Sequence, residues 1–115
     1  MKVSFGGIGE SVATFYNSEF EGAAAGDFVK LSGNGEVAAC ANGNAVCGLC
    51  ISADDNFAAV QIGGFVKAVY SGAAPALGYA KLSAAGGNVV KADLSGRDYL
   101  VIEFDTSAKT VGFIL

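Results

Sequence analysis

Apolar residues in this chain come in short runs broken by glycine, asparagine and aspartate, and most runs alternate with a period of two. That period belongs to strands with one buried face. From Phe65 to Tyr70 the pattern sets Phe65, Lys67 and Val69 on one face and Val66, Ala68 and Tyr70 on the other. From Tyr99 to Asp105 it predicts Leu100, Ile102 and Phe104 inward and Tyr99, Glu103 and Asp105 outward. Phe57 to Ile62 reads as a strand with Val60 and Ile62 on one face and Gln61 on the other. Val46 to Ser52 is almost without polar residues and predicts a strand covered on both sides. Ser11–Tyr16, Phe28–Leu31, Glu36–Cys40, Tyr79–Leu82, Val89–Lys91 and Thr110–Leu115 complete the expected strands. Asn17 to Gly26 reads as a loop or one helical turn, and Ser71 to Leu77, with Pro75, as the longest loop.

The turns support this division. Gly33-Asn34-Gly35 and Asn42-Gly43-Asn44 are built from the residues that accept positive φ at little cost. Asp54-Asp55-Asn56, Asp93–Arg97 and Thr106–Lys109 close later hairpins, and Gly63-Gly64 marks a bend. One phrase occurs twice. Lys30-Leu31-Ser32 leads through glycines to Val37, and Lys81-Leu82-Ser83 leads through glycines to Val89-Val90. The segments Leu49–Ile62 and Leu100–Leu115 also correspond, each an apolar strand, a polar turn and a second apolar strand. The expectation is an all-β fold built from two related hairpin units: one compact barrel or sandwich of short antiparallel strands over 11–115, behind an arm at 1–10.

Composition narrows the function. A chain of 115 residues buries about two-thirds of its unfolded surface, which suffices for a core without staples. The apolar share is 52% and the mean hydropathy +0.47, yet no run of 18 apolar residues exists to cross a membrane as a helix. The start carries one lysine and no apolar block, so a signal peptide is not expected. The excess apolarity suits a surface covered in an assembly. The formal charge is −4 and the seven basic residues are scattered, so the footprint of a nucleic-acid binder is missing.

Reactive chemistry is sparse. With no histidine, neither a serine triad nor a Cys–His pair is available in its usual form. Cys47 and Cys50 form Cys-x-x-Cys, but on a strand that spacing puts them on opposite faces, and with Cys40 there are three thiols and no fourth ligand. Buried reduced thiols are the better reading. Asp54-Asp55-Asn56 offers hard oxygens for calcium if Asp27 or Asp105 folds beside it; a solvated turn needs no such partner. Gly6-Gly7-Ile8-Gly9-Glu10-Ser11 lacks the Gly-Lys-Ser/Thr ending of a phosphate loop. Glu103, Asp105 and Glu36 are the carboxylates a glycosidase pair would need, although alternating acids on an outer strand face are ordinarily just solvated. No catalytic, cofactor or metal residue is expected, and no enzyme.

The order of the pieces carries a resemblance. Gly26-Asp27-Phe28-Val29-Lys30-Leu31-Ser32 is followed by Gly48-Leu49-Cys50-Ile51-Ser52-Ala53, then Ala59-Val60-Gln61-Ile62-Gly63-Gly64-Phe65-Val66, Tyr70-Ser71-Gly72, Ala74-Pro75, Gly78-Tyr79 and the final strand pair. Over about residues 11–115 this resembles the small capsid-decoration (head auxiliary) proteins of tailed bacteriophages and prophages. The resemblance implies a structural protein of the virion, assembled in the bacterial cytoplasm. It would sit on the capsid exterior, clamp major capsid subunits, stabilise the head and form a homotrimer, with no nucleic-acid or membrane partner. The expected contacts are Phe5 and Ile8 of the arm, Phe15 and Tyr16 of the following strand, and Tyr70 and Pro75 beside the long loop. Two rivals are another virion module (head-fibre base, tail or baseplate) and a glycan-binding β-domain using Tyr16, Tyr70, Tyr79 and Tyr99.

Overall fold

The computed structural model describes residues 11–19 and 21–115, so the 1–10 segment, with Phe5, Ile8 and the glycines of the phosphate-loop candidate, lies outside the described residues. Ten strands form: β1 (Ser11–Asn17), β2 (Phe28–Gly33), β3 (Glu36–Ala39), β4 (Gly48–Ala53), β5 (Phe57–Gly63), β6 (Phe65–Ser71), β7 (Gly78–Gly86), β8 (Val89–Ala92), β9 (Arg97–Asp105) and β10 (Thr110–Ile114). No helix occurs among the described residues, and those described between β1 and β2 form a loop.

The all-β class is as expected. The two related units are each a closed five-stranded barrel, one per half. The first barrel runs β1-β3-β2-β4-β5 and the second β6-β8-β7-β9-β10, each closed on itself. The connectivity is identical. In each unit the first and third strands pair in parallel (β1 with β3, β6 with β8), and every other pairing is antiparallel. Closure leaves neither unit with a long open edge, which suits so apolar a chain.

Hydrogen-bond register fixes which residues are equivalent. Ile51 and Ile102 each fall at a bulge, between paired neighbours that advance by two. Leu49 is thus the counterpart of Leu100 and Cys50 of Val101. Across the hairpins, Leu31 faces Val37 and Ala84 faces Val90, with the same shift before the turn glycine. The counterpart of Leu31 is therefore Ala84, not Leu82. The Lys-Leu-Ser phrase repeats two residues out of step with the hairpins it sits in: Leu31 is exposed and Leu82 is buried. At the β2–β3 turn Gly35 holds φ at 67°, a conformation that glycine adopts freely.

Two apolar clusters form. Val29, Val37, Cys50, Ala58 and Val60 fill the first barrel, with Ala23 closing over them and Phe15 packed alongside. The second is larger: Val66, Tyr70, Leu82, Val90, Tyr99, Val101, Val111 and Phe113, extended by three residues of the first unit, Phe28, Cys40 and Val46. Phe28 stacks on Phe113 with ring centroids 6.2 Å apart. The barrels thus share one core cluster rather than hanging from a linker. Gln61, buried beside that linker, donates from Nε2 to the carbonyls of Gly63 (2.9 Å) and Phe65 (3.2 Å), pinning the Gly63-Gly64 bend.

Three facing patterns differ from expectation. In β9 the inward residues are Tyr99 and Val101, and Phe104 is exposed. Tyr99 can enter because its hydroxyl finds a partner, and the bulge at Ile102 then breaks the alternation. In β5 Ile62 is exposed and Gln61 buried, because a shift between Ser11 and Val12 moves the register at this end. The 46–52 run is not covered on both sides. β4 begins only at Gly48, Val46 and Cys50 point into different cores, and Ile51 lies outside at its bulge. The alternation of Phe65–Tyr70 matches the structure, with Val66, Ala68 and Tyr70 buried.

Candidate interaction surface

The outer face of the first barrel is built from three adjacent strands, β4, β5 and β1. Their sequences, GLCISA, FAAVQIG and SVATFYN, contain no charged residue. Val12 and Tyr16 project from β1, Phe57 from β5 and Ile51 from β4, all exposed. Tyr16 lies directly opposite Phe57, and their rings stack with centroids 5.5 Å apart and planes inclined by 28°. Tyr16 is 61% exposed and Phe57 49%, so the pair is assembled yet remains largely in solvent. Around it a shallow cleft is lined by Asn17, Glu19, Asp55 and Asn56. The cleft's base is rigid. Asn17 donates from Nδ2 to the carbonyls of Ala23 (3.1 Å) and Asp54 (2.9 Å) and accepts at Oδ1 from Ala23 N–H (2.9 Å).

The second barrel provides an internal control. On the first, Thr14 and Ser52 flank Ala59. At the equivalent positions of the second, Lys67 and Glu103 flank Gly112 and form an ion pair at 3.6 Å. β9 adds Arg97, Asp98 and Asp105, with Asp98 paired to Lys81 at 3.5 Å. The same framework therefore carries an ordinary charged surface on one unit and an uncharged, aromatic one on the other. Folding does not require the uncharged face, since its counterpart folds with charges. Such a face is usual where a partner covers it.

The expected contact residues fall into different settings. Tyr16 is exposed at the centre of this face. Phe15, its neighbour, turns inward and packs on the first core. Tyr70 and Pro75, expected as contacts, are both buried; the inward alternation of β6 takes Tyr70 into the second core. The exposed apolar residues beside the long loop are instead Leu77 and Tyr79. Of the four tyrosines, Tyr16 and Tyr79 are exposed, whereas Tyr70 and Tyr99 are core. Phe57 was missed. Cross-strand pairing with Tyr16 makes it significant, and register is not readable from one strand alone.

The thiols sit apart. Cys40 belongs to the second core and Cys50 to the first, with Cys47 half-buried. Burial pushes Cys40 up to about 11, aided by the nearby Cys47, and raises Cys47 and Cys50 as well. Cys40 N–H bonds the Phe28 carbonyl and Cys47 N–H the Val29 carbonyl, so β2 runs between them. Two strand spacings amount to about 9–10 Å, beyond the roughly 7 Å that a disulfide spans between Cα atoms.

The aspartates are turn-closers. Asp54 Oδ1 accepts from Asn56 and Phe57 N–H, each at 2.8 Å, and Asp105 Oδ1 accepts from Ser107 (2.8 Å) and Ala108 (3.2 Å) at the equivalent hairpin. Asp27 Oδ2 accepts from Ala24 N–H at 3.0 Å. No group of three metal-ligating side chains is found among the described residues. Glu103 is engaged by Lys67, while Glu36 lies on the other barrel. Comparison of the chain with protein-family models, curated proteins and solved structures finds no match.

Proposed function

We propose that this chain is a phage head decoration protein. It binds the exterior of the capsid through the uncharged β4–β5–β1 face of its first barrel and stabilises the shell by bridging major capsid subunits. The observation that carries the reading is the asymmetry between two barrels of one connectivity: Thr14 and Ser52 stand where Lys67 and Glu103 pair on the other unit. Together with the resemblance of residues 11–115 to head auxiliary proteins, this favours binding by buried area and shape. On a repeating lattice, many individually modest contacts sum to a durable coat. A ligand of the intact shell alone shifts the balance away from rupture by mass action. Assembly in the bacterial cytoplasm agrees with three reduced thiols.

The test is mixing with pre-expanded capsids. The protein co-sediments with them and raises their rupture temperature, and Tyr16→Asp or Phe57→Asp abolishes both effects without unfolding the chain. Capsids equally tough without it, and no co-sedimentation, refute the reading. The Tyr16–Phe57 pair, bordered by Glu19, Asp55 and Asn56, favours saccharide binding as a second reading, since sugars stack on aromatic faces and bond to carboxylates and amides at the rim. Glycan binding by the isolated protein that is lost in Tyr16→Ala, with no capsid binding, selects it.

A further inference from the structure

The β2–β3 and β3–β4 connections each expose an Asn-Gly pair, Asn34-Gly35 and Asn42-Gly43. Asparagine is thermolabile because the next backbone nitrogen can attack its side-chain amide, and a following glycine has no Cβ to shield that nitrogen. By sequence the two pairs are equivalent, but their surroundings differ. Gly43 N–H bonds the Ala84 carbonyl at 2.8 Å. Beside it, Ala41 N–H bonds Asn44 Oδ1 (2.7 Å) and Asn44 N–H bonds the Ala41 carbonyl (3.1 Å). The nitrogen that would attack Asn42 is engaged, and its loop is held against the backbone rotation that ring closure needs. At the other turn, neither the Gly35 N–H nor the Asn34 side chain makes a hydrogen bond among the described residues.

The equivalent turn of the second barrel lacks such a pair. Gly33 faces Glu36 and Gly86 faces Val89, so Gly87-Asn88 stands where Asn34-Gly35 stands, and Asn88 precedes a β-branched residue. The first barrel's turn also carries a structural bond. The Gly35 carbonyl accepts the Tyr16 N–H at 2.8 Å. This bond lies at the start of the parallel β1–β3 seam, which is two residue pairs long, Tyr16 with Glu36 and Asn17 with Val37. Glu36 already places a carboxylate over the turn, its Oε2 2.9 Å from where a Cβ on Gly33 would stand.

We infer that Asn34 is a self-modification site whose conversion to isoaspartate loosens the Tyr16 end of β1. The Gly35 nitrogen gives its proton to hydroxide and attacks Asn34 Cγ. The Cγ–Nδ2 bond breaks, the departing nitrogen takes up a proton as ammonia, and a succinimide ring closes. Water then opens one of the two ring C–N bonds. Opening at Cγ leaves an aspartate. Opening at the main-chain carbonyl leaves the chain running through Cβ and Cγ, with a free α-carboxylate. One water is consumed and one ammonia released, with no oxidant or reductant. The isoaspartyl product lengthens the turn by one backbone atom and sets a negative charge near Glu36. Both changes work against the Gly35–Tyr16 bond and so against the position of Tyr16 opposite Phe57. The chemistry stands independently of capsid binding; only its consequence, weaker binding by aged protein, rests on the function proposed for this face.

The experiment incubates the folded full chain in mildly alkaline buffer and follows both sites by peptide mass spectrometry, with isoaspartyl methyltransferase as the probe for the rearranged linkage. Asn34 converts about five- to tenfold faster than Asn42, the factor that one retained hydrogen bond imposes on a rate. In strong urea, where neither nitrogen is held, the two rates converge. Hydrogen exchange at the Tyr16 N–H quickens in the converted fraction and stays slow in an Asn34→Gln chain incubated alongside. Equal rates in the folded protein, faster conversion of Asn42, or a Tyr16 N–H still protected after conversion overturns the inference. Fresh protein that ignores capsids removes the proposed function and leaves this inference standing.

Discussion

The Tyr99 hydroxyl donates to the backbone carbonyl of Val46, joining a core residue of the second barrel to a loop of the first. Both groups are buried, so the bond also satisfies a carbonyl that water does not reach. The phenol ring packs edge-on to Phe113 at 5.3 Å, inside the cluster that Phe28 completes. Tyr99→Phe keeps the ring but strands the Val46 carbonyl. The expected cost is about 1–2 kcal/mol of stability by urea titration. Because the core spans both units, unfolding stays a single transition seen alike by circular dichroism and tyrosine fluorescence.

Gly48 opens β4 where two strands approach closely. A Cβ there lies 2.4 Å from Val60 Cγ1 and 2.6 Å from the Gln61 carbonyl oxygen, and the carbonyl belongs to a paired strand that cannot swing away. Gly48→Ala therefore destabilises by about 1–3 kcal/mol, the range for an overpacked core. Leu77→Ala, at an exposed loop position, stays within about 0.5 kcal/mol of wild type. Thermal denaturation of the two variants side by side checks the contrast.

Acid sensitivity arises from two aspartates. The N–H groups of Phe57 and then Asn56 hold Asp54 below the usual carboxylate range. The Ser83 hydroxyl, at 2.7 Å, and then the Ser95 N–H do the same for Asp93. A carboxyl depressed on folding adds stability that is complete above its unfolded value, about 4, and is lost as pH falls through the folded value. Stability is expected to be flat in this respect from neutral pH to about pH 5 and to fall below about pH 4. Ser83→Ala removes the chief cause at Asp93 and makes the acid branch shallower. Denaturation midpoints between pH 2 and pH 7, in steps of about one unit, report it.

Thiol labelling separates the three cysteines. At neutral pH all three are protonated, their ordinary values raised by burial. A maleimide modifies half-buried Cys47 first, while Cys40 and Cys50 react only as fast as the protein opens. Mass spectrometry after timed labelling gives the order. Mild oxidation yields no Cys40–Cys47 disulfide, since β2 separates them. Rapid labelling of Cys40 in the folded protein contradicts the core assignment.

Much of the fold is legible along the chain because strands and turns are local. Gly33-Asn34-Gly35 and Asp54-Asp55-Asn56 announce their hairpins through φ preference and side-chain acceptors, and Phe65–Tyr70 shows its buried face by alternation. The duplication is legible too, though the phrase that reveals it misaligns it. Lys30-Leu31-Ser32 and Lys81-Leu82-Ser83 match letter for letter, yet the hairpin bonds make Ala84 the partner of Leu31. Bulges are the reason. One unpaired residue at Ile51 or Ile102 reverses the facing of the rest of its strand, and nothing in the identity of an isoleucine marks it. The interaction surface is half legible: Tyr16 is among the contacts expected from the sequence, but its pairing with Phe57 depends on register.

By itself the sequence determined an all-β chain of two related units, tight turns at its glycines and aspartates, and a scarcity of proton-transfer groups, because each of these rests on residue type and short-range spacing. Only the tertiary structure decided that each half closes into its own barrel, that Phe28 and Val46 serve the other unit's core, that Tyr70 and Pro75 are hidden, and that Tyr79 and Leu94 are bare. Those outcomes depend on which strands meet and in what register, a balance of buried area and satisfied backbone groups over the whole molecule that no local run of residues encodes.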